Sequence, residues 1–410
     1  MENELEQSRE TSTYMHANKQ PEHILWLLAG NQDFDSTVTL CSTFFAPQLF
    51  QIWPKIDQVL VTNTKLIKEW PGRSYRVKLT KGATYRWKIE RELFLAAMEE
   101  GFVHQADIII TTEMGLSLMA QTMDMDITVA REQGIRLRQR PVFHISPSVP
   151  EVGNQDLQPH GGGEEIFWYF VGGLKNHWLG VLDNDFEMDL ARKKMHRQVP
   201  RAPDTKIKRL VCDKFSGFKE DTAKQDVVVW QGRNNPGKRM DIAAETFALL
   251  SGQGIECEMY VPTGRWTRDA LLDDIRKICT VHENMSRDEY LQSITRAKVG
   301  LVTSDSEAFP VGVYEQVERG AIPVIRKRKW NRTWMTEDWP LVFTNTSEAA
   351  AMCQEAIKNY DSYRKLLEEC MFKRWGNDLN FGTVMQEVWD DYIISADREF
   401  SVDKLKISSS

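Results

Sequence analysis

Apolar runs too short to be helices alternate with longer stretches of helical spacing along most of the chain. His23–Ala29, Gln58–Thr62, Ala106–Thr111, Pro141–Ile145 and Leu179–Leu182 read as strands, as do Val227–Trp230, Glu256–Val261, Thr280–Glu283, Val299–Val302 and Ile322–Ile325. Helical spacing falls between and after them. It covers Thr37–Trp53 (broken at Pro47), a Met-rich stretch to about Met123, Asp185–Lys194 and Met240–Leu250. It continues after Ser286, a predicted N-cap, to about Ala297, then through Ser347–Tyr360, Tyr363–Trp375 and Phe381–Ile394. Glu315 opens a short helical segment that ends at Gly320. Unbroken apolar strands are buried on both faces, so the alternation predicts parallel sheets covered by helices.

Length changes this picture by doubling it. A chain of 410 residues exceeds one ordinary core, so two domains are expected. Val199–Lys206 carries two prolines and no apolar periodicity, and reads as the connection between them. The predicted division is a polar tail at 1–20, an N-terminal domain at 21–200, a second domain at 201–380 and a final helix at 381–397 that crosses back to the first domain. Ile407–Ser410 reads as another tail. No apolar run is long enough to span a bilayer, and Met1–Gln20 lacks an apolar signal core. Six scattered cysteines without a CxxC pair predict reduced thiols in a cytoplasmic protein and no metal site.

Candidate chemistry sits in the loops that follow two strands. Val227–Trp230 runs into Gln231-Gly-Arg-Asn-Asn-Pro-Gly-Lys238-Arg239. Gly232 and Gly237 permit tight turns, and Arg233 and Lys238 set two cations before the helix at Met240. Cations beside a helix N-terminus suit a diphosphate. Val299–Val302 runs into Thr303, Ser304, Ser306, Glu307, Phe309, Pro310, Val311, Gly312 and Glu315. A carboxylate does not attract phosphate, so Glu307 and Glu315 are expected to accept hydrogen bonds from hydroxyls.

Glu307-Ala-Phe-Pro, a second Glu eight residues after the first, and then Gly320-Ala-Ile-Pro-Val resemble the Glu-x7-Glu signature of retaining GT-B glycosyltransferases of the large glycogen-synthase-like group. Gly232-Arg233-x4-Lys238, in order before it, resembles the diphosphate motif of that family. The resemblance covers Val199 to Ile394; before that only the order of elements matches. It implies a GT-B fold: α/β, two doubly wound Rossmann-like domains facing across a cleft. It implies a UDP- or GDP-sugar as co-substrate and no tightly bound cofactor. Arg233 and Lys238 would neutralise the diphosphate, Glu315 would hold the ribose, and Glu307 would bind the sugar near the reacting carbon. His282 and Glu283 would lie by the base, and His144 would face the donor sugar. Transfer would retain the anomeric configuration, with the leaving phosphate helping to deprotonate the acceptor and no metal required. The same fold also serves sugar-nucleotide epimerases, phosphorylases and non-catalytic binding proteins. Nothing in the chain argues for the lysine-bound pyridoxal phosphate of a phosphorylase.

The acceptor side is read from charge. The formal net charge is −7, yet Ile67–Arg91 carries Lys68, Arg73, Arg76, Lys78, Lys81, Arg86, Lys88 and Arg91 among Trp70, Tyr75, Tyr85 and Trp87. Arg131, Arg136, Arg138 and Arg140 follow, and then the Pro- and Gly-rich loop Pro147–Gly163. Cations among aromatics suit a polyanion. DNA bearing hydroxymethylated pyrimidines, as in phage, is the leading expectation. A lipid-linked or polysaccharide acceptor at an anionic membrane surface is the alternative, and an ordinary solvated face is the plain one.

Overall fold

The computed structural model describes residues 20–30, 36–66, 69–80, 86–124, 140–146, 162–182, 185–211, 215–219, 223–232, 236–261, 270–283, 285–305, 307, 311–328, 330–331, 335, 339–375 and 380–407. Their strands form two wholly parallel sheets. The first has seven: β1 (His23–Leu28), β2 (Asp57–Thr62), β3 (Arg73–Arg76), β4 (Ile108–Thr111), β5 (Val142–Ser146), β6 (His177–Leu182) and β7 (Ile207–Leu210), in the order β3-β2-β1-β4-β5-β6-β7. The second has six: β8 (Gln225–Gln231), β9 (Glu256–Val261), β10 (Thr280–Glu283), β11 (Ala297–Val302), β12 (Ile322–Arg326) and β13 (Val342–Phe343), in the order β10-β9-β8-β11-β12-β13.

The core follows from the strand pattern. On β1, Ile24, Trp26 and Leu28 belong to one buried cluster and Leu25 and Leu27 to another. Val228 and Trp230 of β8 likewise separate from Val227 and Val229. Period-two alternation between two buried layers is what helices on both faces require. Each sheet reverses its order once, between β1 and β4 and between β8 and β11. Such switch points leave a crevice beyond the strand ends where ligands bind.

Several elements differ from expectation. Pro47 does not break its helix. A π-turn at Cys41–Phe45 precedes the helix Ala46–Ile52, Pro47 falls in that helix's first turn, and the Ala46 N–H reaches the Cys41 carbonyl. The wider π-turn falls just before Pro47, where a residue without an N–H would otherwise interrupt the helical ladder. Val199–Lys206 does not lead out of the first sheet: β7 follows directly and pairs with β6, from Leu179↔Ile207 to Leu182↔Leu210. The last helix runs Phe381–Ile407, longer than its predicted apolar face. The Phe381 ring lies 4.8 Å from Phe45 and 5.8 Å from Trp26, and Gln386 accepts from the Trp53 indole at 2.9 Å. That helix therefore packs on elements of the first sheet. A helix at Gly162–Gly173 was not expected at all. The expected tails at 1–19 and 408–410 lie outside the described residues.

Candidate functional site

The loops after β8 and β11 meet at the second switch point, because these two strands pair directly, Val229 to Gly300 and Trp230 to Leu301. Hydrogen bonds join the loops. The Trp230 indole donates to Thr303 Oγ1 at 2.9 Å, and that hydroxyl donates to the Lys238 carbonyl at 2.7 Å. The Asp305 amide donates to the Gly237 carbonyl at 2.9 Å. Gly232 packs so closely that an added Cβ would stand 2.8 Å from the Trp230 ring. Out of this frame Lys238 and Glu307 emerge as an ion pair. Two residues that sequence reasoning placed on separate motifs are thus in direct contact. Arg233 of the first motif, and Phe309 and Pro310 of the second, lie outside the described residues.

The helix expected to open at Glu315 runs Val311–Glu318, so Glu315 lies one turn inside it and is buried. Val311 and Gly312 form its first turn. An added Cβ on Gly312 would stand 1.9 Å from the Gln231 side-chain oxygen. That oxygen accepts a bond from the Tyr290 hydroxyl, which also lies 3.4 Å from the Gly312 carbonyl. Burial, followed by the nearby Glu315 carboxylate, pushes the Tyr290 phenol well above its ordinary pKa. Tyr290 therefore stays a donor at all working pH values. Sequence reasoning missed Gln231 and Tyr290. The position of Gln231 directly before Gly232, on the strand end, was the available signal.

His282 stacks face to face on Tyr260, with ring centroids 4.7 Å apart. Its Nε2 lies 3.4 Å from the buried Glu258 carboxylate, which accepts from Tyr260 at 2.6 Å and pairs with Arg296. Glu283 pairs with Arg276 at 3.0 Å. The half-exposed His282 edge is therefore held by a flat aromatic surface, while Glu283 has a cation beside it.

A second ionic group adjoins the Lys238–Glu307 pair. Asp305 Oδ1 accepts from Arg326 at 2.7 Å and from Arg328 at 2.9 and 2.7 Å. Arg239 lies 3.6 Å from Asp305 Oδ2 and donates to Asp241 at 2.6 Å. Arg239 has φ 51°, a left-handed conformation that a side chain other than glycine rarely takes. Burial, then the cations Arg328 and Arg239, lower the Arg326 pKa despite the pull of Asp305 and Asp241.

The first sheet places its expected residues differently. His144 is 3% exposed and meets the Phe167 ring edge-on at 4.8 Å. Burial lowers its pKa to about 3, so it is a neutral imidazole. Nearby His177 is buried as well, with Ser117 at 3.1 Å. Trp70 is no stacking platform for bases: it is 4% exposed, with its ring edge-on to Trp26 at 5.3 Å. Arg73 pairs with Asp57, and Arg140 donates to the backbone carbonyls of Val103 and Ala106. Trp87, Lys88 and Arg91 are exposed on the helix Arg86–Glu99. Residues 81–85, 131–139 and 147–161 lie outside the described residues. No metal-binding group of three ligands occurs among the described residues, and none of their helices is long and apolar enough to cross a membrane.

No protein-family model and no curated protein matches the chain. Solved structures do. A TarM variant of S. aureus, in complex with fondaparinux, alpha-GlcNAc-glycerol and UDP, shares 13% identity over 74% of this chain at a TM-score of 0.52. The chain spans only 58% of TarM. WaaG, a glycosyltransferase involved in lipopolysaccharide biosynthesis, shares 11% identity over 90% of this chain and 98% of its own, at 0.59. Trehalose 6-phosphate synthase of Burkholderia multivorans shares 12% over 94% of this chain and 100% of its own, at 0.58. At these identities the likeness is one of fold. The chain has the two-domain α/β GT-B fold, each half a doubly wound parallel sheet.

Proposed function

We propose that this chain is a nucleotide-sugar glycosyltransferase that retains the anomeric configuration and needs no metal. One observation carries the reading: Lys238 and Glu307 are paired at the switch point between β8 and β11. In this reading Lys238, with Arg233, takes the donor diphosphate and leaves Glu307 to accept hydrogen bonds from the sugar. The bond from the anomeric carbon to the diphosphate breaks, and the acceptor oxygen bonds to that carbon on the same face. The acceptor proton passes to the departing phosphate oxygen. The two cations stabilise charge that grows on the diphosphate in the transition state. Glu315 holds the ribose, and the His282–Tyr260 stack lies beside the base. The donor is a UDP- or GDP-sugar; TarM, of the same fold, binds UDP.

The test is protection from heat by a panel of nucleotide sugars. A ligand at a hundred times its dissociation constant adds about 2.7 kcal/mol. The protecting sugar nucleotide is then incubated with and without acceptors. Conversion without an acceptor marks an epimerase, and no protection by any nucleotide sugar overturns the reading.

For the acceptor we propose a polyanion, supported by the exposed Trp87, Lys88 and Arg91. DNA requires a base to stack on Trp87 or Tyr75, since Trp70 is in the core. The lipid-linked or polysaccharide acceptor is favoured by a different observation, the fold shared with WaaG. Sedimentation with duplex DNA or with anionic liposomes, at low and high salt, separates the two. Lys88→Glu with Arg91→Glu is expected to abolish whichever binding occurs.

A further inference from the structure

The Asp305 cluster does more than tie two loops together. Three guanidinium groups, of Arg239, Arg326 and Arg328, face two carboxylates, of Asp241 and Asp305. The group therefore carries an excess positive charge. Lys327 adds to it in sequence, directly between Arg326 and Arg328. Asp305 Oδ1 alone takes three N–H groups from Arg326 and Arg328. A carboxylate oxygen has two lone-pair directions, so the donors there outnumber the acceptor sites. Planar guanidinium forks match phosphate oxygens as well as carboxylate oxygens. Asp305 occupies the place where such an oxygen would sit. Its side chain and that of Arg328 are also accessible, at 39% and 34% exposure.

We propose that Arg326 and Arg328, assisted by Arg239, form an anion site at the carboxyl end of β12 that takes a phosphate ester group of the acceptor. The word acceptor rests on the glycosyltransferase reading; the anion site itself does not. The location supports that role. Asp305 is two residues before Glu307, and its amide holds the carbonyl of Gly237, next to Lys238. A phosphate seated on Arg326 and Arg328 would lie beside the donor pair and not in it. Arg326 has its pKa lowered by burial and by its cationic neighbours, so an added anion would relieve their repulsion. Asp305 is then an internal stand-in that the phosphate displaces.

This predicts a sign that a purely structural cluster would not give. Asp305→Asn removes the competing charge, so it should strengthen phosphate binding several-fold. Arg328→Gln and Arg326→Gln should each weaken it. The measurement is the melting temperature against inorganic phosphate, with chloride added to constant ionic strength. It is made with and without saturating UDP or GDP, so that the diphosphate site is filled in one arm. Dimethyl phosphate at the same concentrations separates a diester from a monoester ligand. The expected result is a phosphate-dependent rise that persists with nucleotide bound, is larger in Asp305→Asn and is lost in Arg328→Gln. An equal response in all four proteins overturns the anion site, even if nucleotides protect. If no nucleotide protects but the Asp305→Asn response is enhanced, the donor reading falls and the anion site stands.

Discussion

The two sheets offer the same crevice twice, and the chain fills them in opposite ways. Beyond β1 and β4 the described residues are neutral or buried. Asn63 exchanges hydrogen bonds with the Gly30 backbone at 2.9 and 2.5 Å, and Thr62, Thr64 and Thr111 bond locally. The helix Met114–Asp124 that follows β4 has a carboxylate at its N-terminus already: an added Cβ on Gly115 would stand 1.8 Å from Glu90 Oε2. A helix N-terminus favours an acceptor for its free N–H groups, and here the Glu90 carboxyl stands beside it. Beyond β8 and β11 the side chains are charged, paired and partly exposed. Fold alone therefore does not place the chemistry. Among the described residues, the charged and accessible side chains lie beyond β8 and β11.

The sharpest way to break this contrast is Lys238→Ala. If the donor diphosphate sits on the second sheet, losing a charge-assisted contact costs about 1.5–3 kcal/mol, or about 10- to 150-fold in kcat/KM. The kinetics are read well below the melting temperature of the variant, because Glu307, 11% exposed, loses a cationic partner. Wild-type kinetics with the protecting nucleotide sugar would move the donor elsewhere. The glutamates sharpen the same point with a smaller effect. Glu315→Gln should mainly raise KM, since ribose contacts are alike in ground and transition states. Glu307→Gln should mainly lower kcat, since charge develops beside it. Steady-state kinetics that show the same change in both variants contradict that division.

How much of this was legible follows from which contacts are local. Glu256–Val261 and Thr280–Glu283 were found at their full extent because β-branched and aromatic residues (Tyr260, Val261, Thr280, Val281) mark them, although Glu256, Glu258 and Glu283 interrupt the apolar run. The capping box of Ser286 with Glu289 lies within four residues and was half read. Val311-Gly-Val-Tyr looks extended by propensity, so the start of its helix was placed four residues late; packing overrode propensity. β7, Ile-Lys-Arg-Leu, was hidden by two prolines just before it. Trp70 stands between Glu69 and Pro71 and looked like a surface ring; its burial against Trp26 depends on a contact across 44 positions of sequence. Asp305 meets Arg326 and Arg328 only because β11 and β12 pair in a particular register, Val302 to Ile325. No spacing rule expresses that.

The first sheet can be tested through its buried histidines. Burial lowers the His144 pKa to about 3 and holds that of His177 well below the ordinary value, with the like charge of His144 a lesser cause. Both folded-state values lie below the unfolded one, so the unfolded chain binds more protons in acid. Stability is then full above about pH 6.5 and falls as pH drops toward 3. For His144 the loss between pH 7 and pH 5 is about 2 kcal/mol. Urea unfolding at both pH values should show that loss shrinking in His144→Gln. An unchanged difference would mean that the ring is hydrated and belongs to an open crevice, and the contrast between the sheets would weaken.

The smallest effect concerns Lys206, which enters β7 beneath Trp178. Its ammonium lies 4.0 Å from the Trp178 ring centroid and donates to the Lys175 carbonyl. Burial lowers its pKa to about 7, with Asp391 pulling the other way and Lys208 adding to the fall. The folded value lies below the unfolded one, so the unfolded chain holds more protons between pH 7 and pH 10.5. Stability should therefore rise with pH across that window and be flat with respect to this group below it. The ring and the carbonyl both favour the charged form, so the gain from pH 7 to pH 8.5 is on the order of 1 kcal/mol. Toward pH 9 the thiols of buried Cys257 and half-buried Cys279, pushed up to about 12 by burial, act in the opposite direction, which fixes the upper limit of the measurement. Lys206→Met keeps the aliphatic stem over the indole and removes the titration. Urea midpoints of Lys206→Met at pH 7 and pH 8.5 should coincide, while those of the natural chain should separate. If both proteins separate equally, the amine is charged throughout this range, and the first sheet buries a cation as readily as the second displays one.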